Sequence, residues 1–214
     1  MAPNPATTMC ATLADEWVRG GVRHAVIAPG SRSTPLALAL AERTDLVIHV
    51  VHDERAASFL ALGIGLATGR PAVLVCTSGT AAAHFHAAVI EAHQAEVPMI
   101  VCTADRPPEL RDVGAAQTVD QTRMYGGAVR WFHDPGPPAI DDAAMWRPMA
   151  ARSIIDATGP RPGAVHLNLP FREPLVGERG DLPPGRQGGA PWRYPAGGQA
   201  GLDPRDVDRL VGLL

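Results

Sequence analysis

Four short, largely apolar runs, each closed by a polar or glycine–proline loop, constrain this chain more than any other feature. Residues 24–28 stop at Pro29-Gly30, residues 46–51 at His52-Asp53-Glu54, residues 72–76 at Thr77-Ser78-Gly79, and residues 98–103 at Asp105-Arg106-Pro107-Pro108. A strand with one wet face alternates apolar and polar residues, whereas runs this continuous must be covered on both faces. Helical patterns lie between them: residues 6–19 up to Gly20-Gly21, from Ser33-Thr34-Pro35 to about Glu42, from Glu54 to Gly69, and from Thr80 to near Ala95. Ser33 or Thr34 can cap the second of these, and Pro35 suits its first turn. Strand–helix alternation of this kind specifies a parallel sheet. Residues 111–125 read as a polar loop with a short helix. Strands over 128–132 and 164–169, with a helix over 141–157 between them, complete the pattern. The expected fold is α/β, a doubly wound, mainly parallel six-stranded sheet with helices on both faces, spanning residues 1–175.

From Pro174 the pattern changes. Residues 176–201 are rich in Gly and Pro without periodicity, as in a linker. Leu202-Asp203-Pro204 then opens a helical run over 205–214, which reads as the start of a second domain, so the chain is expected to be the front piece of a longer protein. Net charge is −3 with no basic stripe, which argues against a nucleic-acid partner. All 19 basic residues are Arg. Base composition accounts for most of that bias, although a guanidinium fork does match a carboxylate in pairs. Cys10, Cys76 and Cys102 are odd in number and lack paired spacing, which fits free thiols in a reducing cytoplasm. Neither a signal peptide nor a membrane-spanning run is apparent.

Parallel strands put their carboxyl ends on one edge, where ligands of open α/β sheets bind. The loops collected there carry Ser31 and Arg32, Glu54, Thr77 and Ser78, and Arg106. One carboxylate, two guanidinium groups and several hydroxyls suit an anionic substrate. Asp53 reads as an N-cap and Glu54 as a first-turn acid, whose charge the helix dipole stabilises. No G-x-G-x-x-G, G-x-x-x-x-G-K-[ST] or G-x-S-x-G pattern is present, which disfavours dinucleotide, P-loop and serine-hydrolase readings. His84 and His86 face different sides of one helix and His93 lies further along it, so no metal site is assigned.

The loop sequences occur in a telling order: Pro29-Gly30-Ser31-Arg32-Ser33-Thr34-Pro35-Leu36, His52-Asp53-Glu54-Arg55, Thr77-Ser78-Gly79-Thr80-Ala81, Ala104-Asp105-Arg106-Pro107-Pro108-Glu109-Leu110 and Val165-His166-Leu167-Asn168-Leu169-Pro170-Phe171-Arg172-Glu173-Pro174-Leu175. Over about residues 8–176 the series resembles the N-terminal, pyrimidine-binding domain of thiamine diphosphate-dependent enzymes, and within them the synthases of menaquinone biosynthesis. The resemblance implies that Glu54 hydrogen-bonds a pyrimidine nitrogen of thiamine diphosphate and acts as the catalytic carboxylate. It implies decarboxylation of 2-oxoglutarate and addition of the succinyl unit to isochorismate. It assigns Ser31, Arg32, Arg106 and Gln117 to substrate, and Thr77 and Ser78 to the cofactor pocket or a subunit contact. An ion pair with an acid such as Asp105 or Glu109 is the plainer reading of each arginine. Some relatives carry Asn where Ala116 stands, which weakens any role for that position and leaves Gln117.

In such enzymes a C-terminal domain with a Gly-Asp-Gly motif holds the diphosphate and Mg2+, and the cofactor bridges this domain and a partner subunit's, in a homodimer or homotetramer. Arg179-Gly180-Asp181-Leu182 is not that motif. These residues alone are therefore expected to fold but not to catalyse. The rivals are another thiamine diphosphate enzyme, such as an acetolactate synthase or a 2-oxo acid decarboxylase, and a non-catalytic homologue serving as a binding module.

Overall fold

The computed structural model describes residues 2–194 and Val211; the helical run expected over 202–214 lies, apart from that one residue, outside the described residues. The chain runs α1 (Pro5–Arg19), β1 (His24–Ile27), α2 (Thr34–Ala41), β2 (Val47–Val50), α3 (Glu54–Thr68) and β3 (Ala72–Cys76). It continues through α4 (Thr80–Ala83), α5 (His86–Gln94), β4 (Met99–Asp105), β5 (Trp131–His133), α6 (Ala143–Thr158) and β6 (Ala164–Pro170). The strands form one six-stranded sheet in the order β2-β1-β3-β4-β6-β5, and every neighbouring pair is parallel.

The burial of both sheet faces explains the apolar runs. Val73, Val75, Ile100 and Cys102 point into a core shared with α1, α2 and α6. Leu74, Cys76 and Val101, one residue out of phase, point into a second core with α3 and α5. All five residues of β3 and all seven of β4 are buried. The three cysteines are free and buried, which is how a thiol behaves as a small hydrophobe. No described helix is long and apolar enough to cross a membrane.

Three local expectations are corrected. The helix expected from Thr80 to near Ala95 is broken between Ala83 and His86. The Tyr125 hydroxyl donates to the Ala82 carbonyl at 2.7 Å, taking an acceptor that an unbroken helix needs. The fifth strand is Trp131–His133 rather than 128–132, because Ala128 ends a 3-10 turn and packs with Val129 against the second core. Neither Ser33 nor Thr34 caps α2 through its side chain. A 3-10 turn over Ser31–Ser33 leads straight into the helix, and the Ser33 hydroxyl donates back to the Gly30 carbonyl at 2.9 Å.

The Gly/Pro-rich stretch, as far as residue 194, lies along α1. The Asn4 and Gly180 backbone N–H groups bond Glu178 O (2.8 Å) and Thr8 Oγ1 (3.0 Å) respectively, and Trp192 N–H donates to Glu16 Oε1. Arg147 of α6, 3% exposed, joins Asp15 at 2.7 Å and Glu16 at 2.9 Å and donates to Pro183 O at 2.8 Å. Burial pushes the Asp15 carboxyl up, but the Arg147 and Arg19 guanidinium groups outweigh it and hold the group below its usual range.

α3 reaches the sheet through Gly65. A Cβ there would stand 2.6 Å from the Pro98 carbonyl oxygen and 2.7 Å from Val97 Cγ1. Gly→Ala in an open helix stabilises by about 1 kcal/mol. Here backbone is in the way, so G65A is expected to destabilise by about 1–3 kcal/mol. Urea unfolding of the two chains reads this directly, and an unchanged or higher midpoint refutes the close approach.

Candidate active site

The chain passes from β1 outward to β2 and returns to β3 on the other side of β1, which opens a crevice beyond the carboxyl ends of β1 and β3. The two loops meet there. A Cβ on Gly30 would lie 2.4 Å from Thr77 Cβ, so only glycine admits this contact. Thr77 Oγ1 is buried and has no partner among the described residues.

At the head of α3, neighbouring acids divide the work. Asp53 is the N-cap, with φ −89° and ψ 117°, and its side chain accepts from the Ala56 N–H at 2.7 Å. Glu54 is half-buried and makes no hydrogen bond or ion pair among the described residues. Its position beside the end of β3 is marked by Cys76, whose thiol is pushed well up by burial first and then by the Glu54 carboxylate. Glu54 makes no hydrogen bond to the other candidates. Ser31 is exposed in its 3-10 turn.

The remaining candidates converge. Arg106 Nη1 donates to Ser78 Oγ at 3.0 Å, and Ser78 Oγ donates to Gln117 O at 3.2 Å. Gln117 Nε2 donates to Ser78 O at 3.0 Å. Gln117 adopts φ 56°, a conformation uncommon for a residue with a side chain, and stacks on Gly79, at φ 87°. One proton of its amide is thus given to the loop. Position 116 touches the arginine through its backbone, with Ala116 O 3.4 Å from Arg106 Nη2, so the side chain there is immaterial to that contact. Partial burial, and next the Arg32 guanidinium, lower the Arg106 pKa, while Glu173 and Asp105 act the other way. The two arginines are therefore electrostatic neighbours. Neither pairs with Asp105 or Glu109 through its guanidinium: Arg32 meets Glu173, and Arg106 only neutral oxygens.

Beneath these loops lies a polar network to which the sequence reading gave no role. Asn168 Nδ2 donates to Asp105 Oδ2 at 2.9 Å and to Asp134 Oδ2 at 3.0 Å, and Arg111 Nη2 reaches the same two oxygens at 2.8 and 3.2 Å. Asn168 Oδ1 accepts from Gln121 Nε2 and Thr103 Oγ1, each at 2.9 Å. Gln121 Oε1 accepts from the Gly79 N–H at 2.8 Å, and Asp105 Oδ1 from the Arg106 N–H at 2.7 Å. Each assignment forces the next. Two carboxylates fix the Asn168 amide, its oxygen takes the single Thr103 proton, and His166 Nε2, 2.8 Å from Thr103 Oγ1, must then be the donor. His166 is the neutral Nε2–H tautomer, and its buried Nδ1 has no partner among the described residues. The signal was legible in Val165-His166-Leu167-Asn168-Leu169, where polar residues at every second place of a buried strand call for partners inside.

No group of three or more His, Cys, Asp or Glu among the described residues is arranged to hold a metal. His86 instead meets the Tyr125 ring edge-on, and Arg130 binds His93.

The family model described as thiamine pyrophosphate enzyme, N-terminal TPP binding domain, matches residues 7–124. The chain belongs to that family. Among curated relatives it is 57% identical over 182 residues to a protein of Thermobifida fusca, covering 84% of this chain and 33% of that one. It is 50% identical to a Haloarcula marismortui protein (94% and 34% covered) and 48% identical to one from Roseiflexus sp. (95% and 37%). All three relatives are named 2-succinyl-5-enolpyruvyl-6-hydroxy-3-cyclohexene-1-carboxylate synthase. The chain spans about a third of the length of these relatives. A carboxylate left free at a helix head beside the crevice can accept a hydrogen bond from a ring N–H.

Burial pulls the His166 pKa from 6.5 to about 3, with the Asp134 charge opposing. The unfolded chain then binds a proton that the folded chain refuses between those values, so stability falls as pH drops through the window. H166Q keeps a donor for Thr103 and cannot titrate. Between about pH 7 and pH 5 the parent chain is expected to lose about 2 kcal/mol more than H166Q in urea unfolding. Parallel losses would mean that His166 is not held neutral.

Proposed function

We propose that this chain is the pyrimidine-binding part of a thiamine diphosphate-dependent synthase of menaquinone biosynthesis, which decarboxylates 2-oxoglutarate and adds the succinyl unit to isochorismate. The observation that carries this reading is Glu54, an acid at the carboxyl edge with no internal partner, in a chain about half identical to synthases of that name. Its neighbour Asp53 already satisfies the helix start, so capping does not account for Glu54.

Thiamine diphosphate, when bound, supplies an acidic thiazolium carbon and an electron sink for the carbanion that decarboxylation leaves. The chain's own residues orient and charge-match. Glu54 accepts a hydrogen bond at a pyrimidine nitrogen and holds the proton there, as the catalytic and cofactor-binding carboxylate. Thr77 and Ser78 line the cofactor side of the crevice, where the unpartnered Thr77 hydroxyl is a free polar group. Ser31, Arg32, Arg106 and Gln117 form the substrate side. Both substrates are dicarboxylic acids, which suits two adjacent guanidinium groups.

Mg2+ and the diphosphate are held by a separate domain carrying the Gly-Asp-Gly motif, and that domain belongs to a partner subunit in a cytoplasmic homo-oligomer. The surface supports this arrangement. Ala56, Phe59, Leu60, Gly63 and Leu66 follow Glu54 along α3 at helical spacing and are exposed, Leu66 at 71%, with Ile90 of neighbouring α5 also exposed. A contiguous exposed apolar face marks an interaction site. The 214 residues alone are therefore inactive.

The deciding experiment follows isochorismate loss by the full-length gene product with thiamine diphosphate, Mg2+ and 2-oxoglutarate. Loss should require all components, and E54Q should reduce the rate by about 10²–10⁴-fold. Consumption of pyruvate in place of 2-oxoglutarate overturns the substrate assignment, and inertness toward every 2-oxo acid favours a binding module.

A further inference from the structure

The two guanidinium groups at the carboxyl edge differ in their counter-charges. Arg32, with a side chain 9% exposed, donates from Nη1 to the Phe171 carbonyl at 3.0 Å and lies 3.1 Å from Glu173 Oε1. Its buried Nε has no partner among the described residues, so Glu173 holds it at one point and not through the two-bond fork that a carboxylate can offer. Arg106 has no carboxylate within ion-pair distance of its guanidinium among the described residues.

Other nearby acids are committed elsewhere. Asp105 is taken by Arg111 and Asn168, and Glu109 is held by both Nε and Nη2 of Arg172 at 2.6 and 3.0 Å. Glu173 remains. Its charge is felt at Arg106 as well as at Arg32, its side chain is 67% exposed, and Oε2 accepts from the Leu175 N–H at 3.2 Å. Two cations thus share a single solvated, loosely held anion.

We propose that Glu173 is a displaceable counter-ion of the Arg32–Arg106 pair, occupying at Arg32 the place that a substrate carboxylate takes, and so setting the affinity of this edge for carboxylates. The inference rests on the reading of the two arginines as substrate-binding. Displacement is cheap because Glu173, the acid of the pair, is largely solvated and is held to Arg32 by a single contact. With Glu173 in place the pair carries one net positive charge, and with Glu173 displaced into solvent it can neutralise both carboxylates of a dianion.

The discriminating variant is E173Q, which keeps the shape and an acceptor for Leu175 and removes the charge. Succinate is the probe, titrated at low salt into this chain while the Arg32 Nε–H resonance is followed by NMR. The apparent Kd is expected to fall about two- to fivefold in E173Q, the fold-change corresponding to an exposed pair, and the saturable response should vanish in R32K. Unchanged or weaker binding in E173Q overturns the counter-ion. In the full-length protein the KM for isochorismate should fall by the same factor, the change appearing in KM and not in kcat. A rise in KM means that Glu173 orients Arg32 for substrate, and the proposal fails. Tighter succinate binding in E173Q, with no isochorismate turnover by any full-length form, removes the proposed reaction and leaves the counter-ion standing.

Discussion

The carboxamide of Asn168 is the point on which the carboxyl edge depends. It lies inside a sheet covered on both faces, and it donates to two carboxylates that would repel each other without it and Arg111. Unpaired charges in such a place are costly, so the group stands or falls as a unit. Its reach is long. Asp105, held from below, fixes the backbone of Arg106, and Gln121, held through the Asn168 oxygen, fixes the backbone of Gly79. Ser78 and Arg106 then meet because both loops are pinned to one buried network. An anion site built on two loops needs such a foundation, since loops are otherwise the mobile part of a fold.

Much of this was legible in the sequence. Continuous apolar runs alternating with helical periods leave few arrangements besides a covered parallel sheet, and five of the six strands lie within about two residues of where the pattern puts them. The grouping of Arg32, Ser78 and Arg106 follows from the same logic, because parallel strands deliver their following loops to one edge. Gln117 joins that group through one bond, its Nε2 donating to the Ser78 carbonyl.

What could not be read depended on contacts distant in sequence. At the break after Ala83 the Ala82 carbonyl accepts from Tyr125, far along the chain, and local periodicity carries no trace of that. Residues 128–132 have strand composition, yet the chain turns at Gly126–Ala128 so that Val129 reaches the second core and the guanidinium of Arg130 binds Pro162 and His93. Arg111, Gln121 and Asp134 sit in a polar loop and look like solvated surface. Only the fold brings them under the sheet edge, where Gln121 and Asp134 bond Asn168 of β6 and Arg111 bonds the two carboxylates that Asn168 holds.

Asp53 and Glu54 show how such a fold keeps one acid in reserve. Identical in charge and adjacent in sequence, they differ because the chain is still extended at Asp53 and already helical at Glu54. The extended residue can turn its side chain back onto the Ala56 N–H, whereas the next one projects along the helix start with that donor already taken. On the same sheet edge Arg106 carries a cation without a facing carboxylate, and α3 presents an apolar face to solvent. An unclaimed acid, an under-neutralised guanidinium pair and an uncovered apolar face each lack a counterpart within the described residues. Their concentration along one edge and its adjoining helix is the physical mark of a surface selected for what it meets and not for how well it folds.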